Sequence, residues 1–288
     1  MTPAMTRVML VLRIGAVLVI LLLPFSDAEA GTKVVVGRTA PAGQQVSMDS
    51  LDHSSWDALL KKYVDADGDV NYANWKKTEA DVKALDAYLA DLSRGLPGKA
   101  SSRPAQFAYW INAYNAMTIK GILREYPTTS IRNHTAKVWG YNIWDDLLLI
   151  TPNGNFSLNH IEHEILRKMG DARIHFAIVC ASKGCPRLLN QAYTSSQLDK
   201  QLTANARHFF SDRQKFKADV DAKRIYVSPI LEWFAEDFGS SDAQQMRFIA
   251  TFLPDLDAQR LARSGSADVS YLDYDWNLNE KPGGSRRR

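Results

Sequence analysis

Apolar side chains recur at helical spacing over 104–126, where Phe107, Trp110, Ile111, Tyr114, Met117, Gly121 and Ile122 form one stripe. The polar remainder does not make a full solvent face. Gln106, Lys120 and Arg124 occupy a narrow strip, while Asn112 and Asn115 fall with Ala108 and Ile119 on a second, mostly apolar face. A helix patterned this way is covered on two sides, and its two asparagines need buried hydrogen-bond partners. The same period predicts helices over 54–64, 75–92, 195–210, 229–238 and 243–252. Ser228 and Pro229 read as the cap and first residue of the fourth of these. Another helix begins at Ser157 or Asn159 and ends at Met169, with Leu158, Ile161, Ile165, Leu166 and Met169 on its buried side.

Short apolar runs at 147–150 and 155–158 flank Thr151-Pro152-Asn153-Gly154, which predicts a hairpin. Strands are expected at 70–72, 174–179, 224–228 and 269–276. No regular strand–helix–strand alternation appears. The expected class is α+β, a mostly helical single domain with a small, largely antiparallel sheet. Asp65-Ala66-Asp67-Gly68-Asp69 resembles a calcium loop, but its glycine comes too early and no glutamate closes it, so it reads as a turn.

The first residues follow a different pattern. Arg7, an unbroken apolar run over 14–23 and the small-x-small Ala28-Glu29-Ala30 predict a signal peptide over 1–30. Arg13 and the shortness of the run argue against a retained anchor, which needs about 20 apolar residues. The expected organisation is a leader over 1–30, a linker over 31–50, one globular domain over 51–279 and a tail over 280–288. The mature chain is then periplasmic or secreted, with no stable membrane span after cleavage near Ala30. With 288 residues, 45% of them hydrophobic, the chain can bury a core without staples. A formal charge of +3 is too balanced to argue for nucleic acid.

Candidate chemistry gathers in two places. At 100° per residue Glu162 points to the middle of the buried face of its helix, His163 to the border, and His160 and Arg167 further round. An inward carboxylate needs a partner, which makes Glu162 a site candidate; the alternative is a capping box between Asn159 and Glu162. The second place is 174–190, which holds both cysteines, Cys180 and Cys185, and closes at Pro186. Read as a strand, it puts Cys180 opposite His175, leaving His163 as the better base for a thiol. His160, His163, Cys180 and Cys185 are also a conceivable zinc set, disfavoured because His160 turns from the core. In an exported protein a Cys180–Cys185 disulfide is the structural alternative, adding about 2 kcal/mol of stability. A third reading is an exchangeable dithiol. Trp233 and Asp237, four apart, either support a site or belong to an amphipathic core helix.

Together these segments resemble the domain of unknown function 547 family. The resemblance is carried by Phe107-Ala108-Tyr109-Trp110-Ile111-Asn112-Ala113-Tyr114-Asn115-Ala116, Ile161-Glu162-His163, Arg173-Ile174-His175-Phe176-Ala177 leading to Cys180 and Cys185-Pro186, and Tyr274-Asp275-Trp276. It implies that the asparagine helix, the Glu-His pair and the cysteine loop share one region. Bacterial members look exported, and plant members do not keep both cysteines, so neither a thiol nor a disulfide is obligatory in the family. The reading that follows is an exported thiol-dependent hydrolase or acyltransferase on a peptide or cell-envelope substrate, with Cys180 as nucleophile, His163 as base, and Glu162 and Asn112 as orienters. Asn115, Tyr114, Arg167, His175, Ser182 and Cys185 are the binding candidates, with no metal or cofactor. The alternatives are a non-catalytic envelope binding or assembly module stapled by Cys180–Cys185, and a dithiol redox protein.

Overall fold

A computed structural model describes residues 33–95, 100–136 and 140–281; the expected leader over 1–30 and most of the expected tail lie outside the described residues. The order of elements is β1 (Val34–Val36), α1 (Ser54–Tyr63), α2 (Tyr72–Lys77), α3 (Glu79–Leu92), α4 (Arg103–Glu125), α5 (Ile143–Asp146), β2 (Leu147–Thr151) and β3 (Gly154–Ser157). A π-helical segment (His160–Leu166) and two short 3-10 turns (Arg167–Met169 and Ala172–Phe176) follow. Then come α6 (Leu198–Ser211), β4 (Phe216–Asp219), β5 (Arg224–Val227), α7 (Ile230–Trp233), α8 (Ala235–Phe238), α9 (Asp242–Ile249), α10 (Leu256–Ser264) and β6 (Asp268–Tyr271). The class is α+β and mostly helical, as the periodicity implied. The strands form two three-stranded sheets rather than one, each joining a parallel and an antiparallel pair: β1–β2–β3 and β4–β5–β6.

Helix α4 is the axis of the first apolar cluster. Ser102 caps it by accepting from the Ala105 N–H, Pro104 sits in its first turn, and its side chains are buried almost all round, as two apolar faces require. Trp56, Trp75, Tyr88, Leu149, Leu158 and Val179 belong to the same cluster. Gly121 permits close approach on one side, since a Cβ there would stand 2.6 Å from Ile143 Cδ1. A second cluster joins Phe176, Phe209, Phe210, Phe216, Ile225, Phe238 and Ile249. Tyr274 packs against both clusters.

Several elements differ from expectation for identifiable reasons. The segment expected as a linker contains β1, whose three valines gain a parallel partner only from Leu147–Leu149, distant in sequence. The helix expected over 75–92 starts earlier and breaks at Thr78, whose hydroxyl donates to the Asn74 carbonyl at 2.8 Å. Val70 makes single bridges to Val64 and Glu280 instead of a strand. The strand expected over 269–276 ends at Tyr271.

The largest departure is at 174–179, expected as a strand. The chain there makes a 3-10 turn to Phe176 and then runs irregularly to α6. Its apolar side chains are buried by helices, and side-chain amides do what a neighbouring strand would do. Asn115 donates to the Ala177 carbonyl at 3.0 Å and accepts from the Val179 N–H at 3.0 Å. Asn112 does the same to the carbonyl and N–H of Tyr193, at 2.8 and 2.9 Å. Gln201 bridges Ala192 and Thr194, and Asn205 donates to the carbonyls of Phe176 and Arg187. Asn112 therefore spends both ends of its amide on backbone and, among the described residues, hydrogen-bonds to no imidazole, unlike the role expected for it.

Removing one of these amides strands two buried backbone groups, each costing about 1–3 kcal/mol. Asn115→Ala is expected to lower the unfolding free energy by roughly 2–4 kcal/mol in urea titrations followed by circular dichroism. A loss below about 1 kcal/mol would show that the loop does not depend on this contact.

Candidate functional site

A cleft of about 200 Å³ opens where α4, the π-helical segment, the cysteine loop, α7 and the C-terminal segment meet. Its polar wall holds Tyr114, Glu162, His163, His175 and the two cysteines; its aromatic wall holds Trp144, Trp233, Phe234, Tyr274 and Trp276.

Glu162 reaches the cleft through a widened turn. The Arg167 N–H bonds to the Glu162 carbonyl, five residues back, so the 3.6-residue period does not apply here. The capping box does not form. Ser157 Oγ accepts from the His160 N–H, and the Asn159 amide donates to Asp145 at 2.6 Å. The Glu162 side chain keeps some surface toward the cleft but is otherwise enclosed by protein. Tyr114 donates its hydroxyl to Oε2 at 3.0 Å. Among the described residues no lysine, arginine or histidine forms an ion pair with it. Burial pushes its carboxyl up to about 7, against the opposing hydrogen bond from Tyr114 and the charge of Arg167.

Arg167 is committed elsewhere. Its Nε and Nη2 donate to Asp237 at 2.6 and 3.1 Å, and its Nη1 lies 3.1 Å from His163 Nδ1. A guanidinium can only donate, so Nδ1 of His163 is the acceptor and that imidazole is neutral. Burial and the Arg167 charge hold its pKa below the usual value. His175 Nε2 lies 2.7 Å from Asp237, and the ring stacks on Phe234 with centroids 4.0 Å apart. Burial pushes His175 down to about 4 despite Asp237, so it too is neutral. Burial opposes the ionisation of Asp237, but hydrogen bonds from Arg167 and His175 keep its carboxyl below the usual range.

Cys180 and Cys185 are joined in a disulfide. Tyr274 covers it, with the hydroxyl 3.2 Å from Cys180 Sγ, 3.1 Å from Cys185 Sγ and 2.9 Å from Ser182 Oγ. Ser182 donates to Cys185 Sγ at 3.3 Å. Gly184 makes room for the Tyr274 ring, since a Cβ there would stand 2.9 Å from it. Ala181, between Cys180 and Ser182, has φ +56°, a left-handed conformation costing a non-glycine residue about 1–2 kcal/mol. The Asn279 N–H holds it through the Ala181 carbonyl at 3.0 Å.

Of the residues singled out in the sequence, Tyr114, Glu162, His163, His175, Cys180 and Cys185 line this one cleft. Arg167 and Ser182 support it through the contacts above, and Asn112 and Asn115 hold its loop from behind. Two expectations are revised. The disulfide leaves Cys180 without a thiol, and His163 hydrogen-bonds to Arg167 rather than to sulfur. His175 and Cys180, placed on opposite faces by strand alternation, line the same cleft because 174–179 is not a strand. His160 packs edge-on against Phe156. Sequence reasoning left Trp144 and Phe234 out, and it named Trp233 and Asp237 as possible supports of a site and Tyr274 and Trp276 as motif residues, without their roles. Their signal was present as aromatics crowded into 233–238 and 274–276, but periodicity assigned these to a core helix and a strand.

A family model described as "Protein of unknown function, DUF547" matches residues 99–210, which include α4, the Glu-His pair and the cysteine loop but not Tyr274. No curated protein and no solved structure matches the chain.

The raised carboxyl sets a pH dependence. An unfolded glutamate releases its proton near the ordinary value of 4.5, whereas folded Glu162 holds it to about 7. The stability this gives is complete below about 4.5 and is lost as pH rises through 7. Glu162→Gln should therefore match the parent in acid and exceed it by roughly 1–3 kcal/mol above neutrality, read from urea midpoints across pH. An offset independent of pH would contradict the assignment.

Proposed function

We propose, for a chain that belongs through residues 99–210 to the DUF547 family, that this cleft binds a small molecule, in an exported protein whose Cys180–Cys185 pair serves as a structural disulfide. The observation that carries the reading is the enclosed Glu162 carboxyl, hydrogen-bonded by Tyr114 and facing an aromatic wall. A few converging polar groups in a mostly apolar cleft are the usual form of a small-ligand site. At about 200 Å³ the space lies below the usual 300–1,000 Å³ of drug-sized pockets. That favours a small molecule or a single head group over an extended peptide. Export rests on the leader pattern over 1–30, and a disulfide suits an oxidising compartment.

The thiol-dependent hydrolase or acyltransferase has weaker support, because the attacking sulfur is bonded to Cys185 and the imidazole expected as its base, His163, is engaged by Arg167. One observation favours dithiol redox chemistry as a second reading. Cys180 keeps partial exposure on the cleft, and the Tyr274 and Ser182 hydroxyls within 3.3 Å of its sulfur would stabilise a thiolate there.

Two measurements separate these readings. A fragment screen by NMR on indole-labelled protein is expected to return small ligands that shift the Trp144, Trp233 and Trp276 resonances. A screen without such hits would remove the binding reading. Intact mass after alkylation, with and without mild reductant, is expected to show no free thiol in either case. A pair opened by a thioredoxin-like reductant would favour the redox reading instead.

A further inference from the structure

We propose that the cleft selects a small organic cation, whose positive centre lies against Glu162 and the surrounding aromatic rings. The inference rests on the small-molecule reading above and assigns the ligand its charge class.

The first ground is local charge. The ionisable groups that interact with Glu162 are Tyr114 from α4, Arg167 from the following turn, Asp237 from α8 and Tyr274 from the C-terminal segment, and His163 is its neighbour in the chain. The Arg167 charge is met by a two-pronged contact with Asp237. His163 is neutral because its Nδ1 accepts from Arg167, and both tyrosines are neutral. An ionised Glu162 is then the one charge in this group without an opposite. An enclosed carboxylate in that position takes up either a proton or a cation. An anionic ligand would meet it directly, and a neutral one would leave it desolvated and uncompensated.

The second ground is the aromatic wall. Trp233, Tyr274 and Trp276 are in mutual contact, with ring centroids 4.8, 4.5 and 5.8 Å apart, and Trp233 is 47% exposed at the rim. Ring faces of this kind attract cations, tryptophan most strongly. The same rings already do so within the protein: Arg132 lies over Trp276 at 5.1 Å and Arg167 over Phe234 at 5.4 Å. Arg132 is exposed, so water and salt screen its repulsion of a bound cation. His175 is buried and lines the cleft, its Nε2 is engaged by Asp237, and its Nδ1 has no partner among the described residues.

The test is calorimetry on the full chain with three probes of similar shape: choline, its neutral carbon isostere dimethylbutanol, and the anion dimethylbutyrate. At about pH 8.5 choline is expected to bind about tenfold more tightly than the isostere, and the anion least. The preference should shrink at about pH 5.5, where Glu162 is protonated, and choline binding at intermediate pH should release a proton. Glu162→Gln should cut the preference several-fold, to what the aromatic wall alone supplies, while still binding the isostere, with an unchanged circular dichroism spectrum. An isostere that binds as well as choline, or a preference undiminished in Glu162→Gln, overturns the inference that the cation lies against Glu162 and leaves the small-molecule reading standing. Should none of the three probes bind, the charge of the fragment-screen hits decides: cations support the inference, and neutral or anionic hits overturn it. A screen without hits removes both readings.

Discussion

A carboxyl group enclosed by protein has three ways to exist: with a cation, with enough hydrogen bonds, or with a proton. The site follows from the third applying to Glu162. Among the described residues its side-chain donor is Tyr114, and the Arg167 guanidinium is claimed by Asp237. The arrangement separates two acids by environment. Asp237 receives three charge-assisted or imidazole hydrogen bonds and stays ionised, while Glu162 receives one and holds its proton toward neutrality. Groups driven apart in this way are a common mark of a functional cleft, although buried ion networks also produce them.

The cleft exists because the chain between Ala177 and α6 is held without a sheet. Asn112, Asn115, Gln201 and Asn205 take the hydrogen-bonding role of a missing strand and fix an irregular path through the interior. This path carries the disulfide to the cleft wall and sets Ala181 in a left-handed conformation that a regular strand would not tolerate. Tyr274 then closes the region, touching both apolar clusters and both sulfurs. The same backbone that makes the loop irregular thus places chemistry at its surface, and the amides give it rigidity.

Much of this was legible in the chain. The double-faced pattern of α4 showed that its asparagines would be buried and would need partners, and the inward angle of Glu162 marked it as a site candidate beside the capping-box alternative. Their partners were not legible. An amide that pairs with backbone 81 residues away leaves no local trace, so Asn112 passed for an orienter of an imidazole. The run over 174–179 has strand composition, and only the tertiary hydrogen bonds of Asn115 explain why it is not a strand. The widened turn at His160–Leu166 likewise breaks the period on which the side-chain angles were read. The aromatic wall was hidden for another reason: its rings come from three distant segments, and each alone looks like core.

The central claim is that Glu162 is a carboxyl enclosed without a counter-charge in the unliganded protein. The direct measurement is its titration by carbon-13 NMR on protein labelled at glutamate side-chain carboxyls, with the resonance assigned by its loss in Glu162→Gln. The account predicts a midpoint at about 7. A midpoint at the ordinary glutamate value of 4.5 would contradict it.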